Sequence, residues 1–144
     1  MDFNIIKLSI EHYQQIIELW EKAGLPHKPK GRDSKESMAK EMQLDFVLFY
    51  GMFDKEHLIA VSIANFDGRR GWINRLAVDP DYRKRGLGKL LISYGEQFLR
   101  ELGAVVICGL IEENNKTSIH TFEKSGYKVE KEILYLAHRK SADS

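Results

Sequence analysis

Cysteine, proline and long apolar runs are all scarce in this sequence of 144 residues. The single cysteine, Cys108, excludes a disulfide framework within the chain. Its apolar neighbours at 104–107 favour a small buried side chain over a nucleophile. No apolar run approaches the roughly 20 residues that a membrane helix needs. Asp2 and Lys7 lie in and around the apolar residues at 1–10, which argues against a signal peptide. We therefore expect a cytoplasmic protein with no membrane partner.

A net charge of either sign is also missing. Lys and Arg together number 22 and Asp and Glu number 21, so the formal net charge is +1. Domains dedicated to nucleic acids are usually strongly basic, so this balance argues against such a partner. The balance hides one cluster, because residues 69–89 hold seven basic and two acidic side chains. The five histidines are scattered, without a pair at metal-binding spacing, so we expect no metal site.

The composition, with 43% apolar and 30% charged residues, is typical of a folded protein, and the length predicts one domain over residues 1–144. Periodicity and turn signals predict the order of the elements. These are a strand at 3–8, helices from residue 9 and at about 34–44, strands at 46–53, 58–66 and 72–78, a helix at 86–103, a strand at 104–111, a helix from residue 114 or 115, and one or two closing strands at 127–137. The order indicates an α/β fold with a single mixed, mostly antiparallel sheet flanked by helices.

The strongest feature is the loop over residues 79–89, which leads from a strand into the longest helix. Gly86 and Gly88 let the backbone bend sharply and approach a ligand closely. The first N–H groups of a helix lack partners, and the helix dipole favours negative charge there. The basic side chains of this loop are Arg83, Lys84, Arg85 and Lys89. The pattern predicts a site for a phosphate or pyrophosphate group.

Two common phosphate-binding motifs do not match this loop. A Walker A motif begins with glycine and has Ser or Thr after its lysine, whereas Arg83 stands at the first position and Leu90 follows Lys89. A dinucleotide fingerprint needs a third glycine or alanine where this sequence has Leu91. The ligand must therefore be recognised by another arrangement.

The strand before the loop has an irregular period. Leu76 and Val78 are two residues apart, but Ile73 and Leu76 are three apart. Either all three face the core and a β-bulge absorbs the extra residue, or Ile73 faces the opposite side of the sheet. Periodicity leaves both alternatives open. Asn74 and Arg75 flank the proposed bulge. Either side chain could face the acceptor, and one could equally pair with a neighbouring carboxylate.

The loop and the end of the chain together resemble the GNAT superfamily of N-acetyltransferases. The acyl-CoA motif of that family is Arg or Gln, two residues, Gly, one residue, and Gly or Ala, and Arg83-x-x-Gly86-x-Gly88 is similar to it. Residues 115–127, which begin with Asn115 and end with Lys-Ser-Gly-Tyr, are similar to the asparagine-led helix of the family. Both blocks stand in the order that the family shows.

The resemblance implies an acyl-CoA N-acyltransferase fold with acetyl-CoA as co-substrate. Strand backbone would bind the pantetheine arm, N–H groups of the loop would hold the pyrophosphate, and two residues of the last helix would flank the far end of the CoA arm. In that order these residues are Leu76, Ala77 and Val78, then Arg83, Lys84, Arg85, Gly86, Leu87, Gly88 and Lys89, then Asn115 and Phe122. The strand at 72–78 and the strand at 104–111 would separate there, with the thioester in the gap.

The catalytic groups depart from the family pattern. Members often have a tyrosine acid where this chain has Phe122, and some have a glutamate base where it has Leu110. Glu112 would share the face of Leu110, roughly 6.6 Å further along the strand. It could act through a water or be a solvated loop carboxylate. Glu112 and Asn74 are therefore the candidate catalytic residues.

We predict an N-acetyltransferase that moves the acetyl group of acetyl-CoA to a primary amine by direct attack in a ternary complex. The alternative is a catalytically weak or inactive CoA-binding regulatory module of the same fold. A weak base would suit an amine of low pKa, because a lysine amine with a pKa of about 10.4 is neutral in roughly one molecule in 2,500 at pH 7.

The amine acceptor, a small molecule or a peptide, is left open by the sequence. Its pocket should form from the loop at 24–33, the hairpin around Asp54 and the closing strands. His27, Lys28 and Lys30 suggest an acidic group on the acceptor. An exposed terminal strand could also pair two copies into a homodimer.

Overall fold

The helices and strands were obtained from a computed structural model that describes residues 3–144. Met1 and Asp2, which belong to the predicted domain, lie outside the described residues. The helices are α1 (Tyr13–Ala23), α2 (Lys35–Glu41), α3 (Leu87–Leu102) and α4 (Lys116–Lys124), with short 3-10 helices at Ile10–His12 and Pro80–Tyr82. The strands are β1 (Ile5–Lys7), β2 (Val47–Asp54), β3 (His57–Phe66), β4 (Arg70–Val78) and β5 (Val106–Cys108).

The helices begin and end where local signals predict. Ser34 caps α2 by accepting the N–H of Ser37. Asn115, rather than its neighbour at 114, caps α4 by accepting the N–H of Ser118 at 3.2 Å. The long helix α3 ends at Gly103, whose φ of 112° is a left-handed conformation that favours glycine. These signals act over three or four residues, so the sequence alone reveals them.

The sheet has five strands in the order β1-β2-β3-β4-β5. Strands β1 to β4 are antiparallel to their neighbours, and β5 is parallel to β4. This confirms the predicted single mixed, mostly antiparallel sheet. A parallel pair needs a long crossover connection, and α3 provides it.

Helices cover the sheet on both faces and create two core layers. Phe49 and Tyr50 are adjacent in β2 and belong to opposite layers, as strand geometry requires. One layer lies under α1 and α2, with Trp20 at its centre. The other lies under α3 and α4 and includes Leu91 and Phe122. Each large apolar side chain buried in these layers contributes about 1.5–3 kcal/mol of stability.

The irregular period of β4 reflects a β-bulge. Val61 of β3 pairs with Ala77 and Ile63 pairs with Asn74, so three residue steps in β4 oppose two in β3. Arg75 takes a φ of 58° within the bulge. As a result Ile73 and Leu76 both face the layer under α3, while Ala77 faces the layer under α1. The bulge alternative is therefore confirmed.

The prediction of closing strands at 127–137 is wrong. No residue after Lys124 belongs to a helix or strand, and the predicted strand at 104–111 forms only over Val106–Cys108. The apolar side chains from Ile133 to Leu136 are between 69% and 85% exposed. A strand must pair its N–H and C=O groups with a neighbour, and this segment does not lie along the free edge of β5. It leads instead to the loop after α1, where Lys28 Nζ donates to the carbonyl of Ala142 at 2.8 Å.

A buried aspartate ties the loop after β4 to two other elements. The side chain of Asp79 is 0% exposed and accepts hydrogen bonds from Lys22 Nζ at 2.9 Å and His57 Nε2 at 2.8 Å. It also accepts the N–H of Asp81. Burial raises the pKa of Asp79, but these hydrogen bonds outweigh it and lower the pKa below its ordinary value. The start of the loop is therefore held between α1 and the β2–β3 hairpin.

We expect Asp79→Asn to lower the free energy of unfolding by about 2–3 kcal/mol, because it weakens charge-assisted hydrogen bonds in a buried site. Asp81→Asn is the matched control: Asp81 contacts the same lysine but is 77% exposed, so its loss should be below about 1 kcal/mol. Urea unfolding measures both. Because the pKa of Asp79 is lowered, its contribution is complete above about pH 4 and disappears as the pH falls through the folded-state pKa. Equal losses for the two variants would contradict the anchoring role.

Candidate functional site

A cleft opens where β4 and β5 separate. The two strands pair over only three residues each, ending with Trp72 opposite Cys108. At the next position Gly109 lies so close to β4 that a Cβ there would stand 3.0 Å from the carbonyl oxygen of Ile73. Asn74 then bridges the gap, since its side-chain oxygen accepts the N–H of Leu110 at 3.1 Å. Beyond this point no strand among the described residues pairs with that edge of β4.

The cleft has a volume of about 340 Å³ and is bounded by five parts of the chain. These parts are the end of α1 with the residues that follow it, the bulge of β4, the anion loop at Arg83, the segment after β5, and α4 with its N-cap. Six of the residues selected from the sequence line it: Asn74, Leu76, Arg83, Glu112, Asn115 and Phe122. The fold thus brings together residues that are up to 48 positions apart in the sequence.

The predicted anion loop has the conformation of an anion site. Lys84 has a φ of 65° and Gly86 has a φ of 77°, so two residues just before α3 are left-handed. No side chain caps α3 at this end, and among the described residues nothing accepts the N–H groups of Leu87, Gly88 and Lys89. The basic side chains Arg83, Lys84, Arg85 and Lys89 are exposed, and none forms an ion pair with a described carboxylate.

The first turn of α3 lies against both β4 and α4. A Cβ on Gly88 would stand 2.9 Å from Thr121 Cγ2 and 3.8 Å from Leu76 Cδ2, so only glycine allows this approach. Leu87 is buried under the turn. The anion loop therefore adjoins the open edge of β4, where Ala77 and Val78 pair with β3 on their other side. An elongated ligand with phosphates at one end and an amide-containing arm at the other fits this arrangement.

The catalytic candidates are placed differently from the expectation. Glu112 is exposed and lines the cleft, but it lies in the loop after β5 and not on a strand face shared with Leu110. Its carbonyl accepts the N–H of Asn115 at 2.9 Å. Phe122 is buried and packs edge-to-face on Tyr127 with ring centroids 5.0 Å apart. Among residues 3–144, Glu112 is the only carboxylate that lines the cleft.

No phenol takes the place of the missing tyrosine acid. The hydroxyl of Tyr127 donates to Glu96 at 2.6 Å, and burial together with that carboxylate raises the pKa of Tyr127 far above its ordinary value. No tyrosine lines the cleft. A leaving group bound there would depart without a tyrosine proton donor.

The basic residues expected around the acceptor pocket have other contacts. His27 Nε2 lies 3.2 Å from Glu21 Oε1, and Lys28 binds the carbonyl of Ala142. The cation that faces the cleft from β4 is Arg75, whose Cζ lies 4.2 Å from the ring centroid of Trp20 in α1. The bulge pattern pointed to Arg75 as one of two alternatives, whereas the stacking on Trp20 has no local signal in the sequence.

A family model describes residues 13–127 of the chain, and its description is the acetyltransferase (GNAT) family. The match includes the bulge, the anion loop and the asparagine-capped helix, and it covers well over half of the sequence. The chain belongs to the GNAT acetyltransferase family. This confirms the resemblance inferred from the sequence, and with it the assignment as an acetyltransferase that uses acetyl-CoA.

Individual relatives agree with the assignment. The chain is 28% identical over 129 residues to "Acetyltransferase SG1711" of Sodalis glossinidius, covering 90% of this chain and 89% of the relative. The fold is similar to the PaiA N-acetyltransferase of Thermoplasma acidophilum, solved with coenzyme A, with a TM-score of 0.76 and 24% identity over 90% of this chain and 92% of that one. It is also similar to AAC(6')-Iy, solved with a bisubstrate analogue, with a TM-score of 0.79 and 15% identity over 96% and 99% of the two chains.

The described part of the chain contains neither a metal-binding cluster nor a membrane-spanning helix. No group of three or more His, Cys, Asp or Glu side chains is arranged to hold a metal ion. No helix between residues 3 and 144 is long and apolar enough to cross a membrane.

The anion loop generates a direct prediction for CoA binding. Gly86→Glu places a carboxylate beside the free N–H groups of α3, so we expect the dissociation constant for CoA to rise at least about 30-fold by charge repulsion. Gly86→Ala is the matched control, since both variants bear the cost of about 1–2 kcal/mol for a left-handed side chain but only one adds charge. Calorimetric titration with CoA measures both. Equal affinities for the two variants would contradict phosphate binding at this loop.

Proposed function

We propose that this protein transfers the acetyl group of acetyl-CoA to a primary amine by direct attack within a ternary complex. The observation that carries the proposal is the single cleft between β4 and β5. It joins the anion loop through Arg83 on one side and opens toward the loop after α1 on the other. One compartment can therefore hold the thioester and the amine at the same time, without a covalent carrier.

The residues that would hold CoA are those selected from the sequence. The free N–H groups at the start of α3 and the basic side chains around them suit the pyrophosphate. The unpaired edge of β4 at Leu76, Ala77 and Val78 suits the amide groups of the pantetheine arm, which need donors and acceptors when buried. Asn115 and Phe122 would flank the arm from α4. Backbone N–H groups aimed at the thioester oxygen would stabilise its developing negative charge.

Glu112 is the proposed general base. It is the one carboxylate in the cleft and it is exposed, so it can reach the amine through a water. Asn74 would position the segment that carries it, because the Asn74 side chain binds Leu110 two residues before Glu112. The amine nitrogen forms its bond to the acetyl carbon, the carbon–sulfur bond breaks, and the amine proton leaves by way of Glu112.

The departure of CoA does not require an acid. A thiol has a pKa of about 8.5, so its thiolate is a moderate leaving group near neutral pH. An apolar Phe122 in place of a tyrosine is therefore compatible with turnover. The proton released from the amine can reach the thiolate through solvent, because the cleft is open on its acceptor side.

Direct transfer is also supported by the residues that are absent from the cleft lining. Cys108 lies on β5 outside the cleft, and burial raises the pKa of its thiol, which disfavours a reactive thiolate. Ser118 lines the cleft but has no hydrogen bond to a histidine among the described residues. No activated nucleophile is available to accept the acetyl group.

We expect the enzyme to favour amines of low pKa, because one solvated carboxylate is a weak base for a fully protonated ammonium. At pH 7 the kcat/KM for the N-terminal amine of a short peptide should exceed that for the ε-amine of Nα-acetyl-lysine by roughly 10-fold or more. Release of free thiol from acetyl-CoA measures both rates. A preference for the ε-amine would contradict the weak-base proposal, and no thiol release from any amine despite CoA binding would contradict the transfer itself.

Glu112→Gln should lower kcat/KM at pH 7 by about 100-fold or more through loss of the base. The loss should shrink as the pH approaches the pKa of the amine, because a larger fraction of the acceptor is then already deprotonated when it binds. Glu113→Gln is the matched control, because this exposed neighbour does not line the cleft and should have no effect beyond about 2-fold. Equal effects of the two substitutions at every pH would exclude Glu112 as the base.

A further inference from the structure

Arg75 is a charged side chain for which the described part of the chain supplies no counter-ion. Its Nε and Nη2 atoms are buried without a hydrogen-bond partner. Among the described residues no carboxylate lies within ion-pair distance of the guanidinium. Asp33 is the carboxylate whose charge most strongly opposes the lowering of the Arg75 pKa by burial. It does not pair with Arg75, because its side chain accepts the N–H of Lys28 and the Nε–H of Arg32. A partly buried cation without a partner is costly, so its retention at the cleft indicates a ligand.

The position of Arg75 suits it to bind a ligand in the cleft. The left-handed φ of 58° in the bulge turns its side chain out of the sheet, and the ring of Trp20 supports it from one side. Stacking holds a guanidinium flat and presents its edge in a fixed direction. The residue lines the same cleft as Glu112 and Leu76.

The charges that line the cleft point to the same ligand class. Three cations, Arg75, Arg83 and Lys116, line it against the single carboxylate Glu112. A polycationic acceptor would be repelled by this surface. A planar guanidinium matches a carboxylate by two parallel hydrogen bonds.

We propose that Arg75 binds a carboxylate of the acceptor, so that the enzyme selects amines that carry an acidic group near the reacting nitrogen. The proposal rests on the proposed function, because it assigns the acceptor half of the same cleft. It differs from the expectation that His27, Lys28 and Lys30 supply this recognition, since the first two bind other parts of the chain.

Paired acceptors test the proposal by activity. The wild-type enzyme should acetylate a dipeptide with a free C-terminal carboxylate about 10- to 100-fold faster, by kcat/KM, than the same dipeptide as its C-terminal amide. Arg75→Gln should remove this preference, so that the acid and the amide react with similar kcat/KM. Arg75→Lys keeps the charge but not the planar fork, so an intermediate preference is expected. Equal rates on acid and amide in the wild type would overturn the carboxylate site and leave acetyl transfer intact.

Fluorescence tests the same contact without turnover. Trp20 is the tryptophan that stacks on Arg75. The substitution Trp72→Phe leaves Trp20 as the only tryptophan in the sequence. Titration of this variant with N-acetylglycine should change the emission in a saturable way, whereas N-acetylglycinamide should not. A thermal melt of each Arg75 variant verifies folding, and Arg75→Lys serves if Arg75→Gln does not fold. The same response to both ligands would overturn the proposal.

Discussion

Between Asn74 and Ala77, β4 contains one more residue than the stretch of β3 with which it pairs, and Arg75 adopts a left-handed φ of 58° there. This bulge keeps Ile73 and Leu76 in the same core layer. The buried hydroxyl of Ser62 donates to the carbonyl of Asn74 at 3.1 Å, which satisfies a group that the irregular ladder leaves free. The side chains of Asn74 and Arg75 are thereby directed to the cleft, where one binds the segment after β5 and the other stacks on α1.

The two ends of the cleft have different origins. The end that we propose for CoA is built from backbone: free N–H groups, a left-handed glycine and the close approach of α3 to β4, held in place by the buried carboxylate of Asp79. The end that we propose for the acceptor is built from side chains that arrive from α1, from the bulge and from the loop after β5. A backbone site suits a ligand shared by a whole family, whereas side chains can be exchanged without changing the fold.

The near-zero net charge of the whole chain does not show how unevenly the charges are distributed along it. Five of the seven basic residues of 69–89 lie at the anion loop or at Arg75, while Asp79 and Asp81 of the same stretch are engaged by Lys22. Positive charge is thus concentrated in and beside one cleft, and acidic residues outnumber basic ones in the rest of the chain. Local charge, rather than the total, describes the ligands that this protein can bind.

The sequence by itself determined the features that arise from neighbouring residues. The caps of α2 and α4, the glycine that ends α3, the anion loop and the irregular period of β4 all depend on contacts within a few positions, so a motif reveals them. Tertiary structure decided the rest. The stacking of Arg75 on Trp20, the isolation of Glu112 as the one carboxylate in the cleft and the failure of residues 127–137 to form strands depend on segments far apart in the chain. A strand exists only where a partner edge meets it, and no property of residues 127–137 alone specifies where that edge lies.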